Sequence, residues 1–130
     1  MKQPDPLSPL RTICQGNEHL ELAVLIGSRV TGRGTAASDW DIALQWRRGM
    51  DIMQQLAQTE TLRNQTARQL NVSDNKIDLI NIPTAGLAMQ SVIADEGVLL
   101  KGVNTLAWSH FLLRTWRNLE EFYWDQLYTA

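Results

Sequence analysis

Leu25 to Leu44 reads LIGSRVTGRGTAASDWDIAL, and this stretch decides the fold. It begins inside the apolar run Leu22-Ala23-Val24-Leu25-Ile26, whose length and abrupt stop at Gly27 predict a buried strand rather than a helix. Gly27, Gly32, Gly34 and Ser38 then predict a turn. Asp41 to Trp46 alternates apolar and polar residues and predicts a second strand, closed by Arg47-Arg48-Gly49.

Working outward, Leu10 to Leu20 is a candidate helix, weakened in its second half by Gly16-Asn17. Pro4, Pro6 and Pro9 make the residues before it irregular or a helix start. On the other side, Asp51 to Leu70 reads as a helix that buries Ile52, Leu56, Leu62, Ala67 and Leu70. Lys76 to Ile82 alternates and predicts a third strand, ended by Pro83. Thr84 is a suitable N-cap for a helix to Glu96, and Gly97 a suitable stop. Val98-Leu99-Leu100 is a short apolar segment. In Thr105 to Tyr128, Trp108, Phe111, Leu112, Trp116, Leu119, Tyr123 and Leu127 recur at three- and four-residue steps and predict a last helix. Strands alternating with helices predict an α/β (α+β) fold, a small mixed sheet flanked by helices.

Composition bounds the rest. The 130 residues suit one domain over 1–130, with a core at 20–102 and a C-terminal helix at 105–128. Apolar residues at 44% supply enough burial to exclude disorder for most of the chain. A net charge of −2 argues against bulk electrostatic attraction to nucleic acid. With Cys14 the only cysteine, an internal disulfide and a cysteine zinc site are excluded. No apolar run is long enough to span a membrane, and Met1 to Pro4 lacks the apolar core of a signal peptide. The expectation is a cytoplasmic protein.

Three acids carry the chemistry: Asp39, Asp41 and Asp78. Residues two apart leave a strand on one face, so Asp39 and Asp41 can bind one hard cation between them, or two side by side. Asp78 stands mid-strand between Ile77 and Leu79, and completes the cluster if its strand lies beside the second one. Asp is depleted in strands and clustered carboxylates repel, so such a set needs a cation; oxygen ligands select Mg²⁺ or Mn²⁺. Gly27 lets a phosphate approach the backbone, and Ser28 adds a hydroxyl donor. Arg29 and Arg33 are near enough in sequence to balance phosphate charge. Ser28 has no His or Lys placed as its base, which argues against a covalent nucleophile. Gly32 and Gly34 read as loop flexibility, Arg47, Arg48 and Lys76 as surface charge, His19 and His110 as surface or capping groups, and Cys14 as a small core residue.

Gly27-Ser28, ten residues, then Asp39-Trp40-Asp41 resembles the GS-x10-DxD pattern of the DNA-polymerase-beta-like nucleotidyltransferase superfamily. Residues 25–44 are similar to the minimal nucleotidyltransferases. Lys76 to Ile80 (KIDLI) looks like their third-acid strand, and Ala94 to Lys101 (ADEGVLLK) is similar to the following segment of the MntA-like antitoxins of HEPN/MNT toxin–antitoxin pairs. The resemblance covers roughly residues 20–102. Trp40 departs from it, since Ile or Leu is usual between the two acids.

The resemblance implies a minimal nucleotidyltransferase fold and transfer of a nucleoside monophosphate from a nucleoside triphosphate to a hydroxyl. Asp39, Asp41 and Asp78 would bind Mg²⁺ or Mn²⁺, and Asp78 would also orient or deprotonate the acceptor. ATP as substrate comes only from the family. So does the expected partner, a HEPN-domain RNase toxin whose tyrosine family members modify with AMP. The chain length leaves no room for a separate acceptor domain, which favours an acceptor carried by another protein. Two other readings stay open: an antitoxin that neutralises by binding alone, and a small-molecule, aminoglycoside-type nucleotidyltransferase. Size and net charge argue against a template-directed polymerase.

Overall fold

The computed structural model describes residues 5–128, so the readings of Pro4 and of the Met1 to Pro4 segment lie outside the described residues. Nine elements follow one another: α1 Ser8–Gln15, β1 Leu20–Ile26, α2 Ser28–Thr31, β2 Trp40–Trp46, α3 Ile52–Leu70, β3 Ile77–Asn81, α4 Leu87–Glu96, β4 Val98–Lys101 and α5 Leu106–Tyr128. Short 3-10 turns at Asp74–Lys76 and Ile82–Thr84 bracket β3.

The four strands form one mixed sheet in the order β3-β2-β1-β4. β1 pairs antiparallel with β2 and with β4, whereas β2 and β3 run parallel. Being central, β1 is buried along nearly its whole length, which explains its unbroken apolar run. Side-chain alternation divides the core into two layers. Leu25, Ile42 and Leu44 pack with Leu10 of α1 and Leu62 of α3. Val24, Ile26 and Ala43 pack on the other face with Ile93 of α4 and Phe111 of α5.

Several expectations are corrected. The first helix stops at Gln15 instead of running to Leu20, because Gly16-Asn17 reverses the chain and Leu20 already belongs to β1. The Val98–Lys101 segment is a fourth strand, too short to show a period and recognisable only from its pairing to β1. Thr84 does not cap α4; Gly86 is its N-cap, and Thr84 accepts from Asn81 Nδ2 at 3.1 Å inside the 3-10 turn.

In α3, Asp51 and Gln54 form a reciprocal capping box, and Leu62 and Ala67 are buried as expected. Ile52 and Leu56 are instead exposed. They line a shallow cleft against Leu79 and Asn81 at the β3 edge of the sheet. A similar correction applies to α5. Phe111 is buried and Trp108 stacks on it with 5.3 Å between ring centroids, but Trp116, Tyr123 and Leu127 are exposed. Trp116 follows the buried Thr115 and so faces away from the packed side, whereas beyond Leu119 the cause is length: 23 residues make a helix about 35 Å long, and a seven-residue strand spans only about 23 Å. Among the described residues, no helix is long and apolar enough to cross a membrane.

Candidate active site

Gly27 ends β1 with φ 85° and ψ −161°, outside the regions open to other residues, and the chain turns directly into α2. The first amides of the helix close onto it, Val30 N–H donating to the Gly27 carbonyl at 3.0 Å. Ile26 is paired with Asp41 across the β1–β2 ladder, so the turn sits beside that carboxylate. A β-carbon on Gly27 would lie 2.4 Å from Asp41 Oδ2. The dihedral angle therefore requires glycine, and a larger residue would also push the Asp41 carboxylate aside.

The parallel register places Asp41 abreast of Asp78. Both point to the face shared with Ala43 and Ile80, because side chains alternate along each strand. Burial pushes the Asp41 carboxyl above the ordinary carboxylate range. The Asp78 charge beside it adds to the rise, as does a side-chain hydrogen bond with Asp78, and the Asp39 charge follows. One step back along the same register stand Asp39 and Lys76. Lys76 Nζ is 3.9 Å from Asp39 Oδ1, and it donates to the Ala37 carbonyl at 2.9 Å. Asp39 and Asp78 are exposed and Asp41 half-buried, so the carboxylates lie on an open surface.

Asp41 and Asp78 thus stand abreast on neighbouring strands, and Asp39 reaches the same edge of the sheet but leans on Lys76. Among the described residues, no three metal-ligating side chains already close around one point. The donor set nevertheless fits a hard divalent cation. Every candidate ligand is a carboxylate oxygen, the donor that hard divalent cations take, and Asp41 and Asp78 stand abreast on neighbouring strands. Asp39 needs only to exchange an exposed ammonium contact for the ion.

The two arginines separate. Arg33 is exposed and makes no hydrogen bond or ion pair among the described residues. Arg29 is engaged with the protein itself. It donates to the Ser38 carbonyl at 2.8 Å and to the Ala36 carbonyl at 3.4 Å, and its guanidinium lies 4.3 Å above the centre of the Trp40 ring. The sequence marks Lys76 only as a surface charge and shows no contact for Trp40, whereas the structure sets Lys76 beside Asp39 and the Trp40 ring under Arg29. A signal for Lys76 was present: it precedes Asp78 by the same two residues by which Asp39 precedes Asp41, and a parallel pair places such residues side by side.

The family model described as polymerase beta, nucleotidyltransferase matches residues 9–105. A search of curated proteins found no match. Among solved structures, the fold is similar to a chain of a toxin–antitoxin complex determined with AMP-PNP, with TM-score 0.70, 18% identity, and 95% of this chain and 94% of that one covered. It is also similar to a chain of the MntA–HepT toxin–antitoxin complex, with TM-score 0.61, 20% identity and coverage of 91% and 87%. A third similar chain is from a tri-AMPylated HEPN toxin in complex with its MNT antitoxin from Shewanella oneidensis, with TM-score 0.60, 18% identity and coverage of 91% and 87%.

Proposed function

Because the chain belongs to the polymerase beta nucleotidyltransferase family, we propose that it is a cytoplasmic protein adenylyltransferase that transfers AMP from ATP to a tyrosine hydroxyl of a cognate HEPN RNase toxin, and so acts as its antitoxin. The observation that carries the reading is the parallel register that sets Asp41 abreast of Asp78 beside the Gly27 turn. Its partner and its acceptor are supported by the likeness in fold to the antitoxin complex that holds an AMPylated toxin.

Asp39, Asp41 and Asp78 would hold Mg²⁺ or Mn²⁺, and the backbone at Gly27, the Ser28 hydroxyl and Arg33 would hold the triphosphate. The bound cation supplies charge neutralisation at the α-phosphate and the leaving pyrophosphate. The tyrosine oxygen forms a bond to the α-phosphorus. The bond from that phosphorus to the β-bridging oxygen breaks, and pyrophosphate leaves with the electron pair. Asp78, at the exposed end of the cluster, accepts the hydroxyl proton at a carboxylate oxygen. An open site suits an acceptor presented on the surface of another protein. A bulky anionic group beside an RNase site then repels RNA phosphates.

A second reading, neutralisation by contact alone, draws on the exposed aromatic residues Trp116, Tyr123 and Trp124 of α5. One experiment separates the two. Purified protein is incubated with Mg²⁺, lysate of the source cells and ATP labelled at the α- or the γ-phosphate, beside Asp39→Asn/Asp41→Asn. A protein band labelled from the α-position only, and lost in the variant, is the expected result. A variant that still neutralises the toxin, with no labelled band from either protein, establishes the contact reading. Label recovered in a small molecule instead establishes the aminoglycoside-type alternative.

A further inference from the structure

The residues just before Asp39 form a compact turn of their own. Ser38 N–H donates to the Thr35 carbonyl at 3.0 Å, and Thr35 N–H donates to Ser38 Oγ at 2.8 Å. Yet the turn is exposed from Thr35 to Ala37 and buries no apolar side chain that could fix it. Its placement comes from two cations. Arg29 reaches it from α2 and donates to the carbonyls of Ala36 and Ser38. Lys76 reaches it from the start of β3 and donates to the intervening Ala37 carbonyl. Three successive carbonyls are therefore gripped from both sides. Gly34 allows the approach on the α2 side, since a β-carbon there would stand 3.1 Å from the Ser28 carbonyl oxygen.

We propose that Arg29 is a positioning residue: lying over the Trp40 ring and holding the Ala36 and Ser38 carbonyls, it sets where the chain enters β2 and hence where Asp39 stands relative to Asp41. Trp40 is the counterpart of this role. Its side chain leaves β2 on the face opposite the two acids and packs among Leu25, Ile42 and their neighbours, so the ring is a fixed floor under the guanidinium. Arg29 Nε is buried without a hydrogen-bond partner, so that flank of the guanidinium is not offered to a phosphate either. Lysine cannot substitute, because one ammonium has neither the planar face for the ring nor the fork for two carbonyls. The bulky residue between the acids is thus matched to an arginine that uses it.

The inference rests on the proposed nucleotidyl transfer, but its test does not depend on activity alone. The full-length protein is compared with Arg29→Lys, Arg29→Ala and Trp40→Leu in three measurements. Hydrogen exchange is followed at the amides of Thr35, Ala37 and Ser38, Mn²⁺ binding is followed by electron paramagnetic resonance without nucleotide, and kcat and KM for ATP are measured in α-label transfer. In Arg29→Lys, exchange at these amides is expected to accelerate about tenfold, Mn²⁺ affinity to fall several-fold and kcat to fall about tenfold, with KM for ATP within about twofold of wild type. Trp40→Leu shifts the same quantities in the same direction by less. The proposal is overturned if Arg29→Lys keeps wild-type exchange and Mn²⁺ affinity while KM for ATP rises, because Arg29 is then a phosphate ligand. If wild type itself neither binds Mn²⁺ nor transfers label, the nucleotidyltransferase reading fails; the exchange data still decide whether Arg29 holds the turn. Should Arg29→Ala fail to fold, Arg29→Lys and Trp40→Leu carry the test.

Discussion

Gly27 and Asp41 occupy one another's space: the missing β-carbon of the glycine would lie 2.4 Å from Asp41 Oδ2. The strand-ending turn and the half-buried Asp41 are thereby a single unit, built across the β1–β2 ladder where Ile26 pairs with Asp41.

Gly27→Ala is expected to damage both stability and transfer. The positive φ alone costs alanine about 1 kcal/mol or more, and the methyl displaces the Asp41 carboxylate. A shift of about 1 Å in a reacting group lowers rate by about 100-fold. Thermal unfolding beside α-label transfer checks this, and an active, stable Gly27→Ala protein would overturn the arrangement.

Asp41→Asn is expected to raise the melting temperature of the metal-free protein at neutral pH while abolishing transfer. The folded-state pKa of Asp41 is raised by burial, then by Asp78 and Asp39, so its ionised form costs stability in the folded state. That cost is absent at pH below the unfolded value and grows as pH rises through the folded value. Metal-free wild type should therefore gain stability relative to Asp41→Asn on mild acidification. Mg²⁺ should narrow the gap at neutral pH. Unfolding curves at several pH values, with Mg²⁺ and with a chelator, read the sign directly.

Cys14 is expected to resist alkylation in the native protein. Its thiol is buried against the α1 side of the sheet, and burial pushes its pKa up to about 11. Almost no thiolate is present at pH 8, so iodoacetamide should modify it only after unfolding. The stability gained by keeping the thiol neutral should be lost as pH rises from 9.0 toward about 11. Rapid native labelling at pH 8 would contradict the packing of α1 on the sheet.

The two halves of α5 should respond differently to truncation. Phe111→Ala removes a fully buried ring and should cost about 3–5 kcal/mol. Trp124→Ala removes a ring that is 52% exposed and stacks only on Tyr128, one turn along the same helix, and should change stability by less than about 0.5 kcal/mol. Denaturant unfolding of the two variants is the check. Loss of toxin neutralisation by a normally folded Trp124→Ala protein would identify this end of the helix as a contact surface.

The sequence by itself determined what depends on near neighbours along the chain. The apolar run before Gly27 and the alternation in residues 41–46 are local patterns, and they sufficed for two strands; the glycine-rich stretch between them, read as a turn, also holds the short helix α2 at Ser28–Thr31, whose four residues are too few to show a helical period. Tertiary structure decided what depends on which segments lie side by side. Parallel pairing of β2 with β3 brings Asp78 against Asp41 and Lys76 against Asp39, a register with no trace in the period of either strand. β4 exists as a strand because β1 offers it an edge. Ile52, Leu56 and Trp116 have the spacing of buried residues, yet no packed neighbour covers them: Ile52 and Leu56 stand over an open cleft at the β3 edge, and Trp116 turns away beside the buried Thr115. Arg29 faces the Ser38 carbonyl and the Trp40 ring because the turn folds back over α2. Periodicity reports which side of an element a residue occupies; only packing supplies what stands opposite.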